Sequence, residues 1–182
     1  MSQQAIDQIT RAITGFDQRV QAAADSSFAN MSPCEGWTAR DVVGHVTNNL
    51  RNTTAGLTGG SATDVSSDED IRVAWNGARE ALLAAASTAD LSVNIDGPFG
   101  PMPAEQFLGR IIATDLLVHT WDLARSIGAD EALPVDLVEG AYSGLKPMDA
   151  MLRRPGVFSA KVEPPAGADM QTEFLCFLGR NV

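Results

Sequence analysis

Apolar residues in this chain return every three or four positions through its long segments, and that period constrains the fold more than any other feature. In residues 4–24 they are Ile6, Ile9, Ile13, Phe16 and Val20. In residues 39–56 they are Val42, Val43, Val46 and Leu50. Such gaps lay one apolar stripe along a helix and do not fit the two-residue alternation of a strand. A third segment opens at Ser67-Asp-Glu-Asp, whose acids suit the positive end of a helix dipole, and carries Ile71, Ala74, Ala78, Leu82 and Ala85. A fourth opens at Pro103 and Glu105 and closes at Gly128. Its Phe107, Leu108, Ile111, Ile112, Leu116, Val118, Trp121 and Leu123 cover more than one side, as in a central helix.

The breaks between these segments carry turn chemistry. Ser26 to Trp37 is a loop ending in Ser-Pro-Cys-Glu-Gly-Trp, after which Thr38 reads as an N-cap with Asp41 three residues on. Leu91 to Pro103 reads as a short extended or irregular insert. Beyond Leu133-Pro134 a fifth helical pattern runs from about Val135 to Arg153 and stops at Arg154-Pro155-Gly156. Residues 157–168 are Pro-rich and irregular, with room for a short strand, and Asp169 to Gly179 closes as an amphipathic helix. The reading is all-α: a four-helix bundle over about residues 4–127 and a C-terminal helical appendage over about 133–182, in one domain.

At 182 residues the chain can bury a core without disulfide staples. Its net charge of −10 repels phosphate backbones, so nucleic acid is not an expected partner. Cys34 and Cys176 stand outside any paired zinc motif and read as thiols in a reducing compartment. The opening Met-Ser-Gln-Gln-Ala-Ile-Asp has neither a basic stretch nor an apolar core, and no run is long enough to span a bilayer. A cytoplasmic protein without a membrane partner is expected, and a homo-oligomer is compatible with the sequence.

The chain has two histidines, and both lie inside apolar helical segments. Asp115 and His119 are one helical turn apart on one face of the fourth helix. His45, on the second helix, would complete a set of three ligands, with coordination positions left for water or substrate. Asp122 and Asp41 are each placed to orient an imidazole, although Asp41 also has the capping role. Asn49 lies one turn beyond His45 on the same face. The competing reading makes both histidines satisfied packing residues. Cys34 reads first as a packing thiol and alternatively as a group facing the site. Trp37 and Trp121 read as core or as pocket walls, and Arg40 and Arg51 as surface groups or anion contacts. No nucleophile elbow, phosphate loop or dinucleotide fingerprint is present.

Two runs together, Pro33-Cys-Glu-Gly-Trp-Thr-Ala-Arg-Asp-Val-Val-Gly-His45 and Asp115-Leu-Leu-Val-His-Thr-Trp-Asp-Leu-Ala-Arg125, resemble the paired signatures of a known family. It is that of the actinobacterial mycothiol-dependent maleylpyruvate isomerase N-terminal-like proteins, within the DinB-like superfamily. The tail from Asp169 to Arg180 resembles the closing segment of an uncharacterised metal-binding branch. The resemblance implies a DinB-like four-helix bundle holding a divalent metal, zinc or nickel, through His45, Asp115 and His119. The family more often carries Glu where this chain has Asp115, and its isomerase members carry a further C-terminal domain. It also implies mycothiol as a thiol partner and an electrophilic small molecule as substrate. The expected function is therefore a metal-dependent thiol isomerase or S-transferase. The alternative is a bundle that binds metal or a protein partner without catalysis.

Overall fold

The computed structural model describes residues 3–97, 100–153 and 158–182. The chain divides into two compact units, Met1–Glu131 and Ala132–Val182. In the first, α1 (Gln3–Ala22), α2 (Ala39–Thr58), α3 (Ile71–Thr88) and α4 (104–127) form the four-helix arrangement that the periodicity predicts. Helix α2 packs on α3 and on α4, and α1 packs on α4. Every stripe residue of α2 is fully buried, as are Ile9, Phe16 and Val20 of α1. Burial of one such side chain contributes about 1.5–3 kcal/mol, so the stripes rather than the loops hold the helices together. Phe16 meets Trp75 of α3 at 4.8 Å between ring centroids, and the Trp75 indole N–H donates to Asp17 at 2.8 Å.

Three local features depart from the periodicity. Ser67-Asp-Glu-Asp does not open α3. The helix begins at Ile71, with Asp70 as N-cap accepting from the N–H groups of Arg72 and Val73. A capping side chain satisfies orphan donors directly, and this outweighs adding a further helical turn of acids. Helix α4 is not uniform: Ala104–Gln106 leads into a π-helical turn, Phe107–Ile112, before the α-helix Ala113–Ile127. Within that turn a Cβ on Gly109 would lie 3.1 Å from Gln8 and 3.3 Å from Ala5, so α1 approaches the backbone closely there. The insert is a two-stranded antiparallel hairpin, β1 (Asn94–Gly97) and β2 (Gly100–Pro103), with Ile95 opposite Met102.

In the second unit, α5 (Val135–Leu145) ends eight residues before the expected Arg153. Pro147 cannot continue the hydrogen-bond ladder, and the chain passes through a 3₁₀ turn, Lys146–Met148, and a short turn, Asp149–Leu152. The expected stop at Arg154-Pro155-Gly156 lies outside the described residues. No strand forms among the described residues 158–168. Helix α6 (Met170–Phe177) sets Phe174 and Phe177 against Tyr142 of α5, at 6.0 and 5.5 Å between centroids. Gly179 follows at φ 85°, with Ala160 O only 2.8 Å from where a Cβ would stand.

Among the described residues, no helix is long and apolar enough to cross a membrane. Cys34 is partly exposed and Cys176 buried, and neither forms a disulfide.

Candidate metal centre

The second helix is fixed at its start. Thr38 Oγ1 accepts from Asp41 N–H, while Asp41 Oδ2 accepts from Thr38 N–H at 2.8 Å. This reciprocal cap occupies Asp41, which therefore does not serve His45. The preceding loop is tied down at both ends. Asn30 donates its side-chain amide to Ser126 O at the end of α4, and Ser32 N–H bonds Trp37 O at 2.8 Å. Gly36 turns the loop at φ 76°, a region other residues adopt only with strain. The result brings Cys34 and Trp37 against α2 and α4. Trp37 lies 5.0 Å from the His45 ring and 6.0 Å from that of His119, the latter pair stacked at 23°.

His45, Asp115 and His119 converge. Asp115 Oδ1 lies 3.4 Å from His45 Nε2 and 3.5 Å from His119 Nε2, and all three ligand atoms fall within 4.8 Å of one another. His119 and Asp122 are buried, Asp122 with no exposed surface. Asp122 Oδ2 accepts from His119 Nδ1 at 2.9 Å and from the Cys34 thiol at 3.3 Å. On the other helix, Asn49 donates its amide to Asp115 Oδ2 at 2.9 Å and to His45 Nε2 at 3.0 Å.

These hydrogen bonds fix the chemistry of the ring nitrogens. With Nδ1 of His119 donating to Asp122, a neutral imidazole turns an Nε2 lone pair on Asp115. With Nε2 of His45 accepting from Asn49, that nitrogen is unprotonated, and its one lone pair would pass from the Asn49 amide to a metal on binding. Three electron-rich atoms thus face one point and require a cation there. In the metal-free protein a proton serves. Burial opposes charge on Asp115, but the His119 imidazole and then His45 outweigh it and hold the carboxyl well below the usual carboxylate range. Burial likewise opposes charge on His119, but Asp115, Asp122 and Cys34 raise its pKa well above the ordinary histidine value.

A divalent metal fits the same point. Ligand bonds of about 2.0–2.2 Å in tetrahedral geometry separate neighbouring ligand atoms by roughly 3.3–3.6 Å. The two edges to Asp115, 3.4 and 3.5 Å, lie in that interval. Two imidazoles and a carboxylate suit a borderline transition metal and leave a position open. Asp122 stands where a carboxylate would fix the tautomer of His119. Cys34, His119 and Asp122 form a second cluster of ligand atoms within 4.8 Å, sharing the same histidine.

Other candidate residues are engaged elsewhere. Arg40 donates to the carbonyls of Ser66, Ser67 and Glu69, and Arg51 pairs with Glu69 at 2.6 Å. Both hold the α2–α3 connection. Trp121 is fully buried with the Arg125 guanidinium 4.4 Å from its ring centroid, and Arg125 pairs with Glu131. Cys34 and Trp37 lie in the run that carries the family resemblance, yet as residue types in a loop they favour packing first. The loop hydrogen bonds that aim them have no sequence period.

The comparisons with known proteins give the family and the fold. Residues 9–124, a span that includes His45, Asn49, Asp115, His119 and Asp122, match the profile of the mycothiol maleylpyruvate isomerase N-terminal domain. The uncharacterized proteins Rv0738 and MT0763, from the H37Rv and CDC 1551 strains of Mycobacterium tuberculosis, are each 29% identical to the chain over 177 residues. That alignment covers 91% of this chain and 96% of each relative. The crystal structure of the mycothiol-dependent maleylpyruvate isomerase superposes with a TM-score of 0.63 at 17% identity. A histidine-to-alanine mutant of that enzyme gives 0.64 at 15% identity, and each match covers 84% of this chain and 72% of the other. At such identities the likeness to solved structures establishes the fold. The sequence match spans the greater part of the bundle and both helices that carry the histidines, and on it the chain belongs to the mycothiol maleylpyruvate isomerase N-terminal domain family.

Proposed function

We propose that the chain is a metal-dependent, thiol-using isomerase or S-transferase, with mycothiol as its thiol. The observation that carries this reading is the convergence of His45, His119 and Asp115 from two helices, with ligand atoms within 4.8 Å of one another and Asp115 Oδ1 3.4 and 3.5 Å from the two Nε2 atoms. Membership of a family named for a mycothiol-dependent reaction supplies the thiol. In this reading His45, Asp115 and His119 hold zinc or nickel. The bound cation supplies a Lewis acid that lowers the pKa of a coordinated thiol, so that a thiolate nucleophile is present at neutral pH.

The chain's own residues do the rest. Asp122 keeps His119 in the tautomer whose Nε2 lone pair faces the site. Asn49 holds Asp115 through its amide, and holds His45 as well in the metal-free chain. Trp37 packs beside both imidazoles, stacked on His119 and tilted against His45. The thiolate would add to an electrophilic carbon of the substrate and either leave again after isomerisation, its electron pair returning to sulfur, or stay bonded while the adduct anion takes up the proton that the thiol lost.

Elemental analysis of the purified chain beside His119→Ala tests the metal. The expected result is about one transition metal per chain in the wild type and none in the variant. Absence of metal in the wild type, with no uptake of zinc or nickel on titration, overturns the reading. Turnover by the metal-loaded chain across a panel of electrophiles, with and without thiol, then separates catalysis from a metal-binding bundle that performs no chemistry.

A further inference from the structure

A cavity of about 370 Å³ opens beside the histidine cluster within the first unit. That volume falls in the range of small-molecule sites, about 300–1,000 Å³. Asn49 belongs to both places: its amide bonds His45 and Asp115, and its side chain lines the cavity. One face of α2 continues the wall, because Asn49, Asn52, Thr53 and Gly56 recur at helical spacing. The opposite side is the β1 strand and the π-helical turn.

The chemistry of this lining is specific. Its floor is apolar and buried, made by Ile95, Phe107 and Ile112. Its rim is polar and exposed, made by the amides of Asn52 and Asn94 and the carboxylate of Asp96. Thr53 donates its hydroxyl to Asn49 O at 2.6 Å, so only oxygen lone pairs remain to it as acceptors. Among the described residues, neither lysine nor arginine lines the cavity. The arginines of α2 are held at the α2–α3 connection by Glu69 and by backbone carbonyls. An anion entering here would leave water, meet no cationic side chain among the described lining residues, and stand against the Asp96 carboxylate. A hydroxyl-bearing group can donate to Asp96 and Thr53, accept from the asparagine amides, and lay its C–H face on the apolar floor.

We propose that this cavity binds the non-reacting arm of the ligand whose reacting group meets His45, Asp115 and His119, and that it takes an uncharged, hydroxyl-bearing arm and excludes carboxylates. The link to a reacting ligand rests on the metal-dependent reading above. The selectivity of the cavity is a property of its lining alone. If the electrophile carries carboxylates, it is held elsewhere.

The test is an NMR titration of the full chain, labelled at isoleucine methyls and side-chain amides, in metal-free and zinc-loaded forms. Methyl β-D-glucopyranoside is the uncharged probe and glutarate the dicarboxylate. The glucoside is expected to shift Ile95, Ile112 and the amides of Asn49, Asn52 and Asn94 saturably, in both forms. Glutarate is expected to bind roughly tenfold or more weakly. Gly56→Leu fills the cavity from α2, where an added Cβ meets only Ile95 at 3.8 Å, and should weaken the glucoside by about tenfold or more. Asp96→Lys should narrow the gap between the probes. The proposal falls if glutarate binds as tightly as the glucoside, if the glucoside shifts do not saturate, or if Gly56→Leu keeps full affinity. Saturable glucoside shifts in a protein that takes up no zinc would sustain the cavity while removing the metal-dependent reading.

Discussion

The two histidines meet at one carboxylate, yet their surroundings differ. His119 is buried on α4, and its Nδ1 is held by a carboxylate with no exposed surface. The His45 side chain is 34% exposed on α2 and is held through Asn49, whose own amide is shared with Asp115. Helix α4 also contributes Asp115, so it supplies two of the three candidate ligands and the buried support for one of them. Helix α2 supplies one ligand and the wall of the adjoining cavity. The difference assigns fixed geometry to α4 and adjustable, solvent-facing contact to α2.

The largest effect that could break this comparison is on the stability of the metal-free protein. His119→Ala takes the imidazole from the buried Asp122 carboxylate, and breaking a buried pair costs about 3–5 kcal/mol. His45→Ala removes a partly exposed partner and should cost about 1 kcal/mol or less. Urea unfolding in the presence of a chelator measures both. Equal losses would show that the two helices share the support of the site evenly.

A smaller effect sharpens the comparison at the metal. Asp122→Asn preserves shape but no longer enforces the His119 tautomer with a charge, and changes of this kind cost about 10–100-fold in metal affinity. Asn49→Ala removes only the shared amide on the adjustable side and should cost less than about tenfold. Competition with a chromophoric zinc chelator gives both values. A larger loss in Asn49→Ala would reverse the assignment.

The same contrast explains what could be read before the structure. The stripes of α1 and α2 are periodic, and periodic burial is legible. The Asp115–His119 pair follows from a single helical turn, so it was legible too. Its meeting with His45 depends on tertiary packing of α2 against α4, which spacing alone does not encode; the family resemblance supplied it. The π turn before Asp115 was illegible, because an apolar helix reads alike with or without one extra residue in a turn. Cys34 and Trp37 were legible as residues but not in direction, since loop hydrogen bonds from Asn30 and Ser32 set their aim. The early end of α5 was written in Pro147 and was masked by the apolar pattern on either side of it.

The smallest effect concerns the start of α2. Thr38→Ala removes the N-cap oxygen and should lower stability by about 1 kcal/mol, with metal affinity changed by less than about tenfold, because α4 is untouched. The partner in the cap adds a pH dependence of defined sign. Hydrogen bonds from the Thr38 side chain and then its backbone N–H hold the Asp41 carboxyl below its ordinary value. A group with a depressed folded pKa contributes stability above its unfolded pKa, about 3.9 for Asp, and loses it as pH falls through the lower folded value. The urea midpoint of the wild type should therefore exceed that of Asp41→Ala at neutral pH, and the gap should close below about pH 4. The exposed position of Asp41 keeps the gap small through solvent screening. A gap that widened on acidification would mean that the Asp41 carboxyl is stabilised in its protonated form. The reciprocal cap would then not be what fixes the entry of α2, and with it the position of His45.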